Sequence, residues 1–359
     1  MKRFALTAIA LLALVMIMFT VGCDRKVTGN VEVVNNADTN CFKCHNGYLD
    51  QAQGEWANSV HAEGTYVDYT NRPAPNDCTR CHDQQGFIYF LANGVPSPEE
   101  FDEVSAIGCF TCHNPHENGD MRLRTDAPFT LLNGVVFDHG DGNLCANCHH
   151  SRTDASTDIT DNLSVNSHWG PHHGPQADML EGTNGYEYSG ATYRSSPHKI
   201  AVPDACAGCH MGEVENHDGY KVGGHTFRIV SEDGANTQIE FCVECHEDAD
   251  SINFLADEDY DHDGTIEGYQ SEVMGLADSL QTLLIAQGAL NASGAQYTTT
   301  VADKGVAGAL YNWVFISKED KSWGVHNFDY TIDLLNSSID YINGLTKRAS
   351  SGMAVIPSH

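Results

Sequence analysis

Basic residues are scarce: 19 Lys and Arg stand against 49 Asp and Glu, a formal net charge of −30. Phosphate backbones are bound by neutralising them with cations, so this balance argues against nucleic acid. It favours cationic partners or metal ions, or only keeps an exported surface soluble. Long apolar runs are equally rare. One stretches from Phe4 to Phe19 behind Met1-Lys2-Arg3, and no other approaches the roughly 20 residues that span a bilayer. Regular apolar periodicity is thin before Cys242, so side chains alone are not expected to supply a core there.

Residues 1–22 read as a lipoprotein-type signal peptide, removed before Cys23, whose thiol then carries lipid. Thr20 stands where such signals usually carry Leu. The alternative is an ordinary export signal that leaves Cys23 as an unpaired thiol. Export with a lipid anchor in the cell envelope, periplasmic or at the outer-membrane surface, is the expected location. Residues 23–40 read as a linker.

Thirteen cysteines in an exported chain would first suggest disulfides, but twelve of them fall into six units of one form. These are CFKCH (Cys41, Cys44, His45), CTRCH (Cys78, Cys81, His82), CFTCH (Cys109, Cys112, His113), CANCH (Cys145, Cys148, His149), CAGCH (Cys206, Cys209, His210) and CVECH (Cys242, Cys245, His246). Random placement of this composition gives about 0.025 such units. Two thiols three residues apart can form thioethers to the two vinyl groups of one haem, and the adjacent His then lies under the ring as an iron ligand. A zinc site does not explain a His after every second Cys, and a redox dithiol would occur once. Six haem c groups are therefore expected, with His45, His82, His113, His149, His210 and His246 as proximal ligands. The first cysteines of the units lie 31 to 61 residues apart, too uneven for a solenoid.

Six bis-His haems need six further ligands. The context of each remaining His favours His61 in WANSVHAEG, on an expected helix beside Trp56 and Val60. His116 in CHNPHENG is too near His113 to reach the far side of the same haem and suits a neighbouring one. His172 is favoured within SHWGPHHGPQADML, with His168 and His173 in reserve. His198 in SSPHKI, His225 in KVGGHTFRI at the start of an expected strand, and His326 just before a helix complete the set. His139, His150, His217, His262 and His359 read as surface or supporting residues.

The segments CHNPH, GNLCANCH, HWGPHHGPQADML, CAGCHM with GGHTFRI, DYDHDGTIEGYQSE and the later VHN resemble parts of the multihaem c-type cytochromes exported by metal-respiring bacteria, over roughly Cys41 to Gly344. That resemblance implies a close-packed haem wire carrying electrons across the envelope to an outside acceptor. It also implies that the extra His residues bind irons of their own or adjacent haems. The family includes enzymes, but the motif in which ammonia-forming nitrite reductases carry Lys in place of His is absent here.

The fold class expected is mainly α and irregular with little β: a haem-packed core over 41–250, an acidic loop over 251–272, and a helical bundle over 273–359 packed on that core. In the loop, Asp259, Asp261, Asp263 and Gly264 match the first half of a calcium loop, Gln270 stands where the bidentate Glu belongs, and Glu267 or Glu272 would complete the shell. The bundle should comprise one helix burying Met274, Leu276, Leu280, Leu283 and Leu284, a second through GALYNWVFI, and a third with Phe328, Ile332, Leu335, Ile339 and Ile342 on one face, ending at Asn343-Gly344.

Electron transfer is the leading function, with redox proteins or extracellular acceptors such as metal oxides as partners. A reductase of nitrite, hydroxylamine or a sulfur oxyanion would need one open haem and an anion-binding cation such as Arg80, Arg122, Arg124, Arg152 or Arg194. A homo-oligomer, up to a conducting filament of identical subunits, remains the third reading. Mass spectrometry of the exported protein should read the chain from Cys23 onward plus six haems and a lipid; a haem-free mass would exclude covalent attachment.

Overall fold

Leu and Ile concentrate after residue 270, and that is where the principal core closes. The computed structural model describes residues 49–350 apart from 65–69, 115–120, 213–220 and 248. The signal peptide, Cys23, Cys41, Cys44, His45, His116, His217 and His359 lie outside the described residues. Among the described residues the fold is mainly helical, 42% helix against 6% strand. Among the described residues no helix is long and apolar enough to cross a membrane.

Three helices build the core: α1 (Tyr269–Ala286), α2 (Lys304–Val314) and α3 (Phe328–Ser350). In α1 the apolar spacing buries Val273, Leu276, Ala277, Leu280 and Leu284. Met274, expected inside, is 39% exposed; it lies one position past Val273, about 100° around the helix, on the outer face. Leu283 packs at the margin of the core. Asp303 caps α2 by accepting from the Val306 amide at 2.9 Å, and every residue from Gly305 to Val314 is buried. Gly308 is required there because a Cβ would run into the Tyr186 ring.

The α3 helix does not stop at Asn343-Gly344 as expected but continues to Ser350. Glycine inside a helix costs only about 1 kcal/mol, and Leu345, one residue on, packs against the core and holds the next turn in place. Ile332, Leu335 and Ile342 are buried, with Phe328 and Ile339 partly so.

The bundle is not isolated from the cysteine-rich region. Ala155, Ile159, Val165 and Met179 belong to the same core. Two short antiparallel pairs complete the regular structure: β1 (Phe129–Thr130) with β2 (Val136–Phe137), and β3 (Leu163–Val165) with β4 (Thr299–Val301). The second pair, with Val165 opposite Thr299, ties the segment after the CANCH motif to the loop before α2. A smaller cluster around Leu131, Phe137, Ala146, Ala177 and Ala205 sits under the CANCH and CAGCH motifs.

Leu280→Ala should remove about 2–5 kcal/mol of stability. Thermal unfolding would read this as a clear fall in Tm, and an unchanged Tm would mean that the bundle core does not limit unfolding.

Candidate functional site

Each described CXXCH unit folds into a single helical turn. The His amide donates to the first Cys carbonyl in four of them: His82 to Cys78 at 3.1 Å, His113 to Cys109 at 2.9 Å, His149 to Cys145 at 2.9 Å and His246 to Cys242 at 2.8 Å. The fifth lies in the helix Cys206–His210. An i to i+3 spacing on a helical turn puts both sulfurs on one face, with the imidazole projecting from the turn's end.

The five described motif histidines each face one histidine from elsewhere in the chain. Ring centres lie 6.1 Å apart for His149 and His61, 6.3 Å for His82 and His172, 6.3 Å for His113 and His225, 6.2 Å for His246 and His198, and 6.2 Å for His210 and His326. Across these pairs the interplanar angle runs from 44° to 85°, while the separation barely changes. Stacked rings would vary the other way. Two imidazoles bound trans to one metal at about 2 Å per bond, with roughly 1 Å more from each nitrogen to its ring centre, are held about 6 Å apart whatever their rotation about the shared axis. The donor set and its spacing thus fit a six-coordinate iron between the rings of each pair.

Burial keeps several of these rings neutral, the form that binds metal. It lowers His61, His172 and His210 to about 4, helped by His149, His173 and His326 respectively. His149 is exposed as a whole residue, yet the atoms packed around it desolvate the ring enough to lower its pKa too. Burial also lowers His82 and His225. His326 goes the other way: burial pulls it down, but the charge and hydrogen bond of Asp320 outweigh that and raise it.

Of the six non-motif ligands expected, the five described ones are those paired. Within the HHGPQ segment it is His172, at a φ of 70°, that meets a motif His. His168 is exposed and its amide donates to Asn166, and the His173 Nδ1 lies 2.9 Å from Glu319. His139 pairs with Glu181 at 2.6 Å, and His150 lies against Phe129. His225 is not on a strand. It sits in a 3₁₀ turn, Gly224–Thr226, because Gly223 and Gly224 take positive φ and the buried Glu55 carboxylate accepts from the His225 amide at 2.9 Å. His61 lies in a short second helix, Val60–Glu63, started by the Ser59 cap rather than continuing the helix Asp50–Ala57, and Val60 is exposed.

The motifs also touch one another. The Cys81 thiol lies 3.8 Å from the Asn147 carbonyl and the Cys148 thiol 3.9 Å from the Arg80 carbonyl, Cys206 packs against the cluster that holds Ala146, and burial, with Cys145 adding to it, pushes the Cys112 thiol up to about 12. Arg80 of one motif donates to the Asn147 carbonyl of another at 3.3 Å. Of the arginines considered as anion binders, Arg80 also covers the Phe90 ring at 4.0 Å, Arg124 donates to the Phe110 carbonyl, Arg152 reaches Asp77 and Arg194 pairs with Asp329 and Asp333.

Several supporting residues carried no signal in the sequence. The Phe227 ring lies 4.9 Å from His61 and 6.1 Å from His225, and its carbonyl accepts from His210 Nδ1 at 2.8 Å. Gln176 Oε1 lies 3.1 Å from His149 Nδ1. Asp320 Oδ1 lies 2.6 Å from His326 Nδ1. Phe227 and Gln176 fall inside the quoted stretches GGHTFRI and HWGPHHGPQADML, and Asp320 stands six residues before His326, but no motif or period marks any of the three.

In the acidic loop, carboxylate oxygens of Asp259, Asp261 and Glu272 lie within 4.8 Å of one another. Asp263 and Glu267 are not part of that group: the Asp263 carboxylate turns to the Thr265 amide, while Glu267 meets Glu272 only through its backbone amide. Glu272 is fully buried, and Asp259 Oδ1 is buried without a hydrogen-bond partner. Gly275 lets the loop lie against α1, since a Cβ would collide with Asp261. No family model, curated protein or solved structure matches the chain.

Proposed function

We propose that this chain is an exported multihaem c-type cytochrome that passes electrons between a redox partner protein and a second acceptor, protein or extracellular mineral, through six covalently held haems. The observation that carries this reading is the set of five histidine pairs, each joining one motif His to one non-motif His at a single separation. Bound haem supplies the one-electron iron couple. The chain supplies the rest: ten described cysteines that would fix the macrocycles and paired imidazoles that would fill both axial positions.

Adjacent motifs favour a wire over isolated centres. The sulfurs of Cys81 and Cys148, and of Cys145 and Cys206, would carry thioether links of different haems, and the packing of these units on one another would keep neighbouring groups close enough for tunnelling, which falls steeply with distance. Among the described units, the CANCH unit packs against those at Cys78 and Cys206. With both axial positions filled at five sites, a reductase activity would be confined to the unit at Cys41. All five partner rings come from this chain, so these pairs need no second subunit.

The acidic loop favours a structural Ca²⁺ held by Asp259, Asp261 and Glu272, which bring hard oxygen donors together beside a buried, unpartnered carboxylate oxygen.

Electron paramagnetic resonance of the oxidised, haem-replete protein should give six low-spin irons per chain. His172→Ala should convert one of the six to high spin, whereas His168→Ala and His173→Ala should leave the spectrum of the parent. A high-spin iron in the parent would reopen the enzyme reading, and an unchanged His172→Ala spectrum would remove the pairing with His82. For the loop, calorimetry on chelator-treated protein should detect Ca²⁺ binding that Glu272→Gln weakens at least about tenfold; absence of binding by the parent would leave an acidic turn and no metal.

A further inference from the structure

The paired histidines differ in what holds their outer nitrogen, and the difference is one of charge. The His210 and His198 Nδ1 atoms each lie 2.8 Å from a backbone carbonyl, of Phe227 and Val325, and His149 Nδ1 lies 3.1 Å from the neutral amide oxygen of Gln176. His326 instead meets the Asp320 carboxylate at 2.6 Å, and that side chain is 1% exposed. The nearest parallel among the described pairs is Glu55, whose carboxylate stands 3.5 Å from His225 Nδ1 and is spent on the His225 amide.

The backbone builds this contact. Helix α2 passes into a π-helical turn, Phe315–Asp320, closed by Lys321 in the left-handed region. Single π turns are uncommon and often mark functional positions. This one presents Glu319 to His173 and Asp320 to His326 from consecutive residues. The second Asp320 oxygen accepts from the Ser322 amide and hydroxyl, which fixes the carboxylate against the ring.

We propose that Asp320 is a tuning residue that makes the haem held by His210 and His326 the one of lowest potential among those with described ligands. This rests on the haem reading above. A buried anionic acceptor gives the imidazole partial imidazolate character and makes it a stronger donor to iron. A stronger axial donor stabilises the oxidised metal more than the reduced one. When one electron enters this site no bond forms or breaks, and the proton stays on Nδ1 between His326 and Asp320. With the lowest potential among them, this site fills last and sets an uphill step in the wire.

The test is spectroelectrochemical potentiometry of the haem-replete full chain, with the EPR spectrum as a check on ligation. Asp320→Asn, which keeps shape but removes the charge, should move one haem of the six to higher potential and leave all six low-spin. Asp320→Glu should restore much of the parent curve. Ser322→Ala, which strips a donor from the carboxylate and leaves it more basic, should move the same component lower, and it carries the test should Asp320→Asn fail to assemble. Superimposable curves for parent and variants, with six low-spin haems in each, would overturn the role of Asp320 while leaving the cytochrome reading intact. A parent without haem would overturn the cytochrome reading itself.

Discussion

Each of the five pairs holds two imidazole rings about 6 Å apart, and each pair joins segments far apart in the chain. His61 reaches His149, and His326 reaches back to His210. Closing such loops costs conformational entropy that grows slowly with length, and a ring left free to rotate would lose the geometry. Everything else in the fold answers that demand. Backbone carbonyls, Gln176, Glu55 and Asp320 each pin a ring or its backbone, and they do so from elements that do not themselves carry the motif.

The C-terminal bundle is the largest of these devices. Its own core, centred on Leu280, Leu310, Tyr311 and Leu335, needs no cofactor to pack, in contrast to the region before it, where the core clusters are small. From that rigid base the chain projects His326 at the start of α3. Asn327 is buried and accepts from the Ser196 amide at 2.8 Å while donating to Ser195, which fastens the bundle to the loop before His198. Two paired histidines, His326 and His198, are thereby positioned through one seam, and the His198 ring is itself tied to the Val325 carbonyl.

Chemistry was legible earlier than geometry. The Cys and His spacing marks out the candidate sites, because the proposed thioether formation and axial ligation would require those residues within one turn. The bundle was legible from its 3.6-residue apolar period, and its errors are instructive. Met274 faces out because Val273 takes the inward position, and α3 overruns Gly344 because Leu345 still has core to bury. His225 was misread as strand-forming because two glycines and a β-branched neighbour look extended, whereas Glu55, distant in sequence, bends the chain into a 3₁₀ turn. The choice of Asp259, Asp261 and Glu272 over Asp263 and Glu267 depends likewise on how the loop lies against α1.

By itself, then, the sequence determined which residues carry the chemistry and which face of each long helix is apolar, because both follow from covalent spacing over a few residues. Only the tertiary structure decided which histidine meets which, that His172 rather than His168 or His173 does so, and that a buried carboxylate stands behind His326. The ring pairs join segments 48 to 116 residues apart, the carboxylate reaches its ring only because a π-helical turn presents it, and no local period or motif encodes either.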